Sequence, residues 1–265
     1  MSGKMILATI TLSYLLMCSH ALATTRNVTI RIQGWNDGSG EILDEYNVPL
    51  TDQTGFSVLD ALEEACDDNS IAYLESDGYI SSIAGQDSSD FDILLYGGWM
   101  YRVWQSSDQP TYPDEDVLSL YGAGEHILND GDKVTWYYAL PEYTFYTTIS
   151  NYGSISDAPS ENTSLTVSVT GDVFVDLWTW DLSGFNKLGG ATVMVERISD
   201  GQIIASANTV SSGLNKGKAT ITLPDVTADT DCYVYVQAKY YTNGEEADGI
   251  QYVKSWQKEI TIQNN

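Results

Sequence analysis

Apolar and polar residues alternate from Asn27 to Gly34, with Val28, Ile30 and Ile32 on one side and Thr29, Arg31 and Gln33 on the other. A period of two belongs to a strand with one buried face. Asn36, Asp37, Gly38, Ser39 and Gly40 tolerate the backbone of a tight turn, so Glu41 to Leu50 reads as the returning strand of a hairpin. The period then changes. Val58, Leu62, Ala65 and either Cys66 or Leu59 form a stripe within residues 57–67, and Ser57 followed by Asp60 makes a capping-box pattern, which together predict a helix. Short strands follow at Ile71 to Leu74, Tyr79 to Ile83 and Trp99 to Trp104, with a Ser76-Asp77-Gly78 turn between the first two. The Asn129-Asp130-Gly131-Asp132 turn leads into a last strand, Lys133 to Leu140, with Val134, Trp136 and Tyr138 on one face. One hairpin, one helix and strands returning across it predict an α+β grasp-like domain, a sheet with one packed helix. A β-sandwich with an incidental helix is the alternative.

The second half shows only the short period. Leu165 to Val169, Val173 to Trp180, Ala191 to Ile198, Gln202 to Val210, Lys218 to Leu223, Cys232 to Tyr240 and Ile250 to Ile262 read as strands between turns such as Ser199-Asp200-Gly201 and Asn243-Gly244. About seven such strands predict an all-β immunoglobulin-like sandwich, without the paired cysteines around a tryptophan that mark antibody domains. Thr147 to Ser164 is rich in Ser, Thr, Asn and Pro and reads as a linker. At the start, Lys4, an apolar run from Met5 to Met17 and Ala21-Leu22-Ala23 make a secretory leader with cleavage before Thr24. The run is too short to span a bilayer, which needs about 20 residues. The expected plan is a signal peptide at 1–23, a grasp-like domain at 24–146, a linker at 147–163 and the sandwich at 164–265, secreted or held at the extracellular surface.

Charge narrows the choice of partners. The chain carries 37 Asp and Glu against 12 Lys and Arg, a formal net charge of -25. Such a surface repels phosphate backbones and anionic lipid, so neither nucleic acid nor stable membrane insertion is expected. Cysteine and histidine are scarce: beyond the leader only Cys66, Cys232 and His126 remain, too few for a Cys/His zinc site. The two cysteines read as small buried residues. His126 follows Tyr121-Gly122-Ala123-Gly124-Glu125, where a lone histidine reads as a surface residue. No Gly-x-Ser-x-Gly turn accompanies it. Asp87, Asp90 and Asp92, or Asp114, Glu115 and Asp116, gather oxygen ligands without calcium-loop spacing and read as solvated acidic loops. No catalysis and no metal are expected.

The most distinctive segment is Tyr96-Gly97-Gly98-Trp99-Met100-Tyr101-Arg102-Val103-Trp104. Two glycines thin the backbone beside large amphipathic rings, an arrangement that suits stacking on a flat ligand. Alternation offers a second meaning, with Trp99, Tyr101 and Val103 lining a core and Met100, Arg102 and Trp104 facing outward; at least one of Trp99 and Trp104 is then accessible.

Four pieces in order, Gly55-Phe56-Ser57-Val58-Leu59-Asp60-Ala61-Leu62-Glu63-Glu64-Ala65, Gly78-Tyr79-Ile80-Ser81-Ser82-Ile83-Ala84-Gly85, Gly98-Trp99-Met100-Tyr101 and Leu128-Asn129-Asp130-Gly131-Asp132-Lys133-Val134, resemble the transcobalamin-like C-terminal domain. That family includes the β-domain of the cobalamin carriers and prokaryotic secreted relatives, and the resemblance runs from Asn27 to about Tyr143. It implies a grasp-like fold and a ligand role, because in the carriers this domain covers the upper face of the corrin. Cobalamin or another corrinoid becomes the expected ligand, with Trp99, Tyr101 and Trp104 at the macrocycle and Tyr79 and Ser82 hydrogen-bonding its side-chain amides. The carriers complete their clamp with an α-helical barrel that this chain lacks, and Met100 stands where they have a polar residue. The competing expectation is a structural or adhesive extracellular module with a protein partner and no small-molecule ligand.

Overall fold

The computed structural model of the protein describes residues 26–35, 40–50, 55–88, 97–104, 122–140, 142–176, 181–240 and 250–265. The leader, the hairpin tip at 36–39, the end of the strand expected at Val173 to Trp180, the Asn243-Gly244 turn, Tyr96 and the acidic runs at Asp90, Asp92 and 114–116 lie outside them.

The first half contains β1 (Arg26–Gln33), β2 (Glu41–Leu50), α1 (Val58–Asp68), β3 (Tyr73–Ser76), β4 (Tyr79–Ile83), β5 (Gln86–Asp87), β6 (Gly98–Trp104) and β7 (Lys133–Ala139). Its larger sheet runs β2-β1-β7-β6, with β1 parallel to β7 and the outer pairs antiparallel. β3, β4 and β5 form a small antiparallel sheet of their own. The helix starts where its cap predicts: Ser57 Oγ accepts from Asp60 N at 3.1 Å while Ser57 N donates to Asp60 Oδ2 at 2.7 Å. Two further first-turn amides donate outside the helix, Val58 N to the His126 carbonyl at 2.9 Å and Leu59 N to that of Ala123 at 3.0 Å. These are groups that a helix cannot satisfy internally. Val58, Ala61, Leu62, Ala65 and Cys66 are buried against Val28, Ile30, Ile32, Val134, Trp136 and Tyr138, the faces that alternation predicted. Each fully buried Leu or Ile contributes about 1.5–3 kcal/mol relative to an exposed one. Between β3 and β4, Asp77 and Gly78 both take positive φ, 53° and 82°. A two-residue hairpin turn of the hand that matches strand twist requires this.

The second half contains β8 (Thr144–Ile149), β9 (Ser164–Asp172), β10 (Phe174–Asp176), β11 (Asp181–Leu182), β12 (Asn186–Lys187), β13 (Thr192–Arg197), β14 (Ile203–Asn208), β15 (Lys218–Thr222), β16 (Thr230–Val236), β17 (Gln251–Val253) and β18 (Lys258–Ile262). One sheet runs β12-β9-β8-β17 with β15 also on β9, and a second runs β14-β13-β16-β18. β10 and β11 pair as a short ribbon. Val167, Val193, Val195, Ile221, Val234 and Ile262 belong to one shared core. The protein is thus β-rich, with one α-helix among the described residues and several sheets.

Two segments differ from the pattern reading. The stretch expected as a linker opens inside β8, which crosses residue 146 and pairs with β9 and β17. Its Thr-rich composition conceals a β-branched strand in which Ile149 enters the second core while Tyr146 faces the first half. The single strand expected from Ile250 to Ile262 is two, because the chain leaves one sheet after Val253 and joins the other at Lys258. Between them Trp256 is buried at the junction of the halves. Among the described residues no helix is long and apolar enough to cross a membrane.

Candidate functional site

The aromatic strand β6 places its side chains on two opposite faces. Trp99, 4% exposed, sits in the first core, its Nε1 donating to the Gln86 carbonyl at 2.9 Å and its ring meeting Tyr138 edge-on at 5.6 Å. Tyr101, 8% exposed, packs on Trp136 at 5.3 Å and His126 at 5.8 Å. Burial, with Glu125 adding, pushes its phenol up to about 12. Of the two glycines before them, Gly97 serves the protein's own packing: a Cβ there would lie 2.3 Å from the Tyr138 ring. Trp104 points the other way, half-buried among Tyr152 and Trp256. Ser82 is buried in the small sheet, whereas Tyr79 is 54% exposed, with its hydroxyl donating to Ser88 Oγ at 3.4 Å. The fold therefore brings Trp99 and Tyr101 together on the helix side, sends Trp104 to the opposite side, and leaves only the Tyr79 ring widely open among the five.

The polar face of the large sheet holds what the alternation did not disclose. Arg31, 0% exposed, donates from Nη1 to the carbonyls of Lys254 and Ser255, both at 3.1 Å, and pairs through Nη2 with Glu45 at 2.7 Å. Its guanidinium lies 4.4 Å from the centre of the Trp256 ring. Gln33 works like a strand edge, its Nε2 donating to the Tyr252 carbonyl at 3.0 Å and its Oε1 accepting from Lys254 N at 2.9 Å. Gln251 returns the gesture, its Nε2 donating to the Gly34 carbonyl at 3.0 Å. Arg102 pairs with Asp172 at 2.5 Å, each side chain 2% exposed, with Tyr146 and Phe185 rings beneath its guanidinium. Burial opposes the charge of Arg102, but the Tyr137 phenol and the Asp172 carboxylate outweigh it and hold the group above its ordinary value. Lys133 lies 4.9 Å and 5.0 Å from the Trp104 and Trp256 rings, and burial pulls its ammonium down. Buried charges persist only where paired and hydrogen-bonded, as both arginines are. Both faces of β6 are thus covered, one by the core beneath α1 and the other by the second half.

No family model matches the chain, and no curated protein matches it. A solved structure from Bacteroides vulgatus, of a protein whose name refers to DNA binding, aligns over 90% of this chain and 99% of its own at 11% identity. Its TM-score of 0.23 is too low to carry an argument.

The remaining chemical candidates are internal. His126 is buried, not at the surface as its glycine-flanked position predicts, because the loop at 122–126 folds over the start of α1 and turns the ring onto Tyr101. Desolvation lowers its pKa, with Asp132 opposing. Cys66 and Cys232 are free thiols, one in each core, and burial pushes them up to about 12 and about 11. Among the described residues no three His, Cys, Asp or Glu side chains gather to hold a metal.

Proposed function

We propose that this chain is a non-catalytic extracellular surface module, a grasp-like half fixed to an immunoglobulin-like half, that meets its partner through its outer surface. One observation carries the reading: β6, the strand with the aromatic run, is covered on both faces. The grasp-like description is supported by a hairpin, a helix and a parallel pairing of the first strand with the last. Two sheets around one core support the sandwich. Corrinoid binding through Trp99 and Tyr101 would require α1 to part from the sheet and open a core.

Titration of the purified chain with cyanocobalamin and with cobinamide, following tryptophan fluorescence and the corrin absorption band, tests this. The expected result is no saturable change up to about 1 mM, equivalent to only some 4 kcal/mol of binding. Trp99→Ala should instead lower stability by about 3–5 kcal/mol, the cost of emptying a core aromatic site. Saturable corrin binding that vanishes in a folded Trp99→Phe variant would overturn the reading in favour of a corrinoid-binding protein.

A further inference from the structure

A cleft of about 590 Å³ opens at the seam of the two halves, lined from the first by Glu45 and Lys133 and from the second by Tyr152, Tyr233, Lys258 and Glu259. Asp157 and Asp231 also reach it, so its wall carries four carboxylates against two ammonium groups. Both lysines already occupy aromatic faces: Lys258 lies 5.1 Å from the Tyr152 ring and pairs with Asp157, and Lys133 lies against the two indoles. Tyr233 and Glu259 face each other directly across the β16–β18 pairing. Such opposed side chains stand close enough to share one ligand. Cys232 and Ile260, their neighbours in the ladder, are buried in the core, which turns Tyr233 and Glu259 outward into the cleft. Among the described residues the Glu259 carboxylate has neither an ion pair nor a hydrogen bond.

We propose that this cleft binds an alkylammonium group, its methylene stem against the Tyr233 ring and its charge paired with Glu259. The cleft's own lysines display the same mode of recognition, an ammonium on an aromatic face beside carboxylates. The excess of acid in the wall rejects anions and leaves an uncharged ligand without the ion pair. The phenols register this field: both Tyr152 and Tyr233 are raised, first by burial and then by Glu259, with Asp157 adding at Tyr152 and Glu45 at Tyr233. The group arrives either on a free polyamine or on a lysine side chain of a protein partner. The inference rests on the cleft alone and stands whether or not the chain is a surface module.

The test is a titration of the full chain with cadaverine, with an acetylated and amidated tetralysine peptide, and with N,N′-diacetylcadaverine, followed by tryptophan fluorescence and calorimetry. Saturable binding of cadaverine or tetralysine is expected, weakened at least tenfold by Glu259→Gln and at least fivefold by Tyr233→Leu. Glu142→Gln, an equal change of charge on an exposed residue of the first half, should alter it less than twofold. A tighter peptide than diamine identifies a protein source, and the reverse identifies a polyamine. Circular dichroism confirms folding of each variant, and Glu259 is exposed, so its replacement leaves the core intact. The proposal is overturned if neither amine saturates by 10 mM, if diacetylcadaverine binds as well as cadaverine, or if Glu259→Gln and Glu142→Gln behave alike.

Discussion

Arg102→Met removes the guanidinium that joins the halves at Asp172. Both side chains are 2% exposed, so among the described residues Asp172 would retain the Ser183 hydroxyl at 3.2 Å and almost no access to water. Stranding one member of a buried pair costs about 3–5 kcal/mol. Methionine keeps most of the arginine stem, which limits any added cavity. For a chain of this size a loss near 4 kcal/mol corresponds to roughly 8–16 °C in Tm. The double change Arg102→Met with Asp172→Leu removes both charges and should recover most of that loss, because an apolar pair of similar volume is often neutral or better than the ions. Urea unfolding followed by tryptophan fluorescence and by far-UV circular dichroism measures all three proteins. The single variant should also separate the two signals into distinct transitions, as the halves lose their tie. The reasoning is refuted if the single change costs under about 1 kcal/mol, or if the double variant is as unstable as the single, since coupled neighbours must show a non-additive term.

Other expectations follow from local features. Ser57→Ala removes the cap of α1 and should cost about 1 kcal/mol in the same unfolding assay, and an unchanged midpoint would contradict the capping geometry. His126 has a folded pKa below its unfolded value, so it helps stability fully above about 6.5 and less as pH falls below that, where only the unfolded chain takes up the proton. Unfolding measured from pH 5 to 8 should therefore show a shallower acid-side decline in a folded His126→Gln variant than in the parent. The buried thiols should resist a colorimetric disulfide reagent at pH 8 in the native protein and react fully in denaturant; rapid native labelling of either would place it outside the core.

How far the sequence discloses this structure depends on which face of each element is considered. The inward faces are legible because alternation and helical stripe state them directly: Val28, Ile30 and Ile32, Val134, Trp136 and Tyr138, and the Val58 to Cys66 stripe all reach one core. Ser57 and Asp60 announce the helix start through side-chain chemistry that acts within four residues. The outward faces are not legible. Arg31, Gln33 and Arg102 sit at positions that alternation assigns to solvent, and nothing local says that Trp256 and Asp172, far along the chain, will cover them. The same gap explains the candidate site. Alternation already offered the core as one meaning of Trp99 and Tyr101, but the covering of Trp104 depends on Tyr152 and Trp256. Acidic excess was visible in composition, yet the cleft where Tyr233 meets Glu259 exists only once β18 pairs with β16.

The arginine seam also sets a timetable. Arg31 bonds to carbonyls 223 and 224 residues later, so this contact cannot close until nearly the whole chain has been synthesised. At ordinary rates of translation that interval is roughly 10–45 s. Throughout it the first half must survive with its mating face bare. A wholly greasy face would invite aggregation during the wait, whereas here two arginines and a glutamine stand among Trp104, Tyr137 and Met100 and hold water on the face until the right carbonyls and carboxylate arrive.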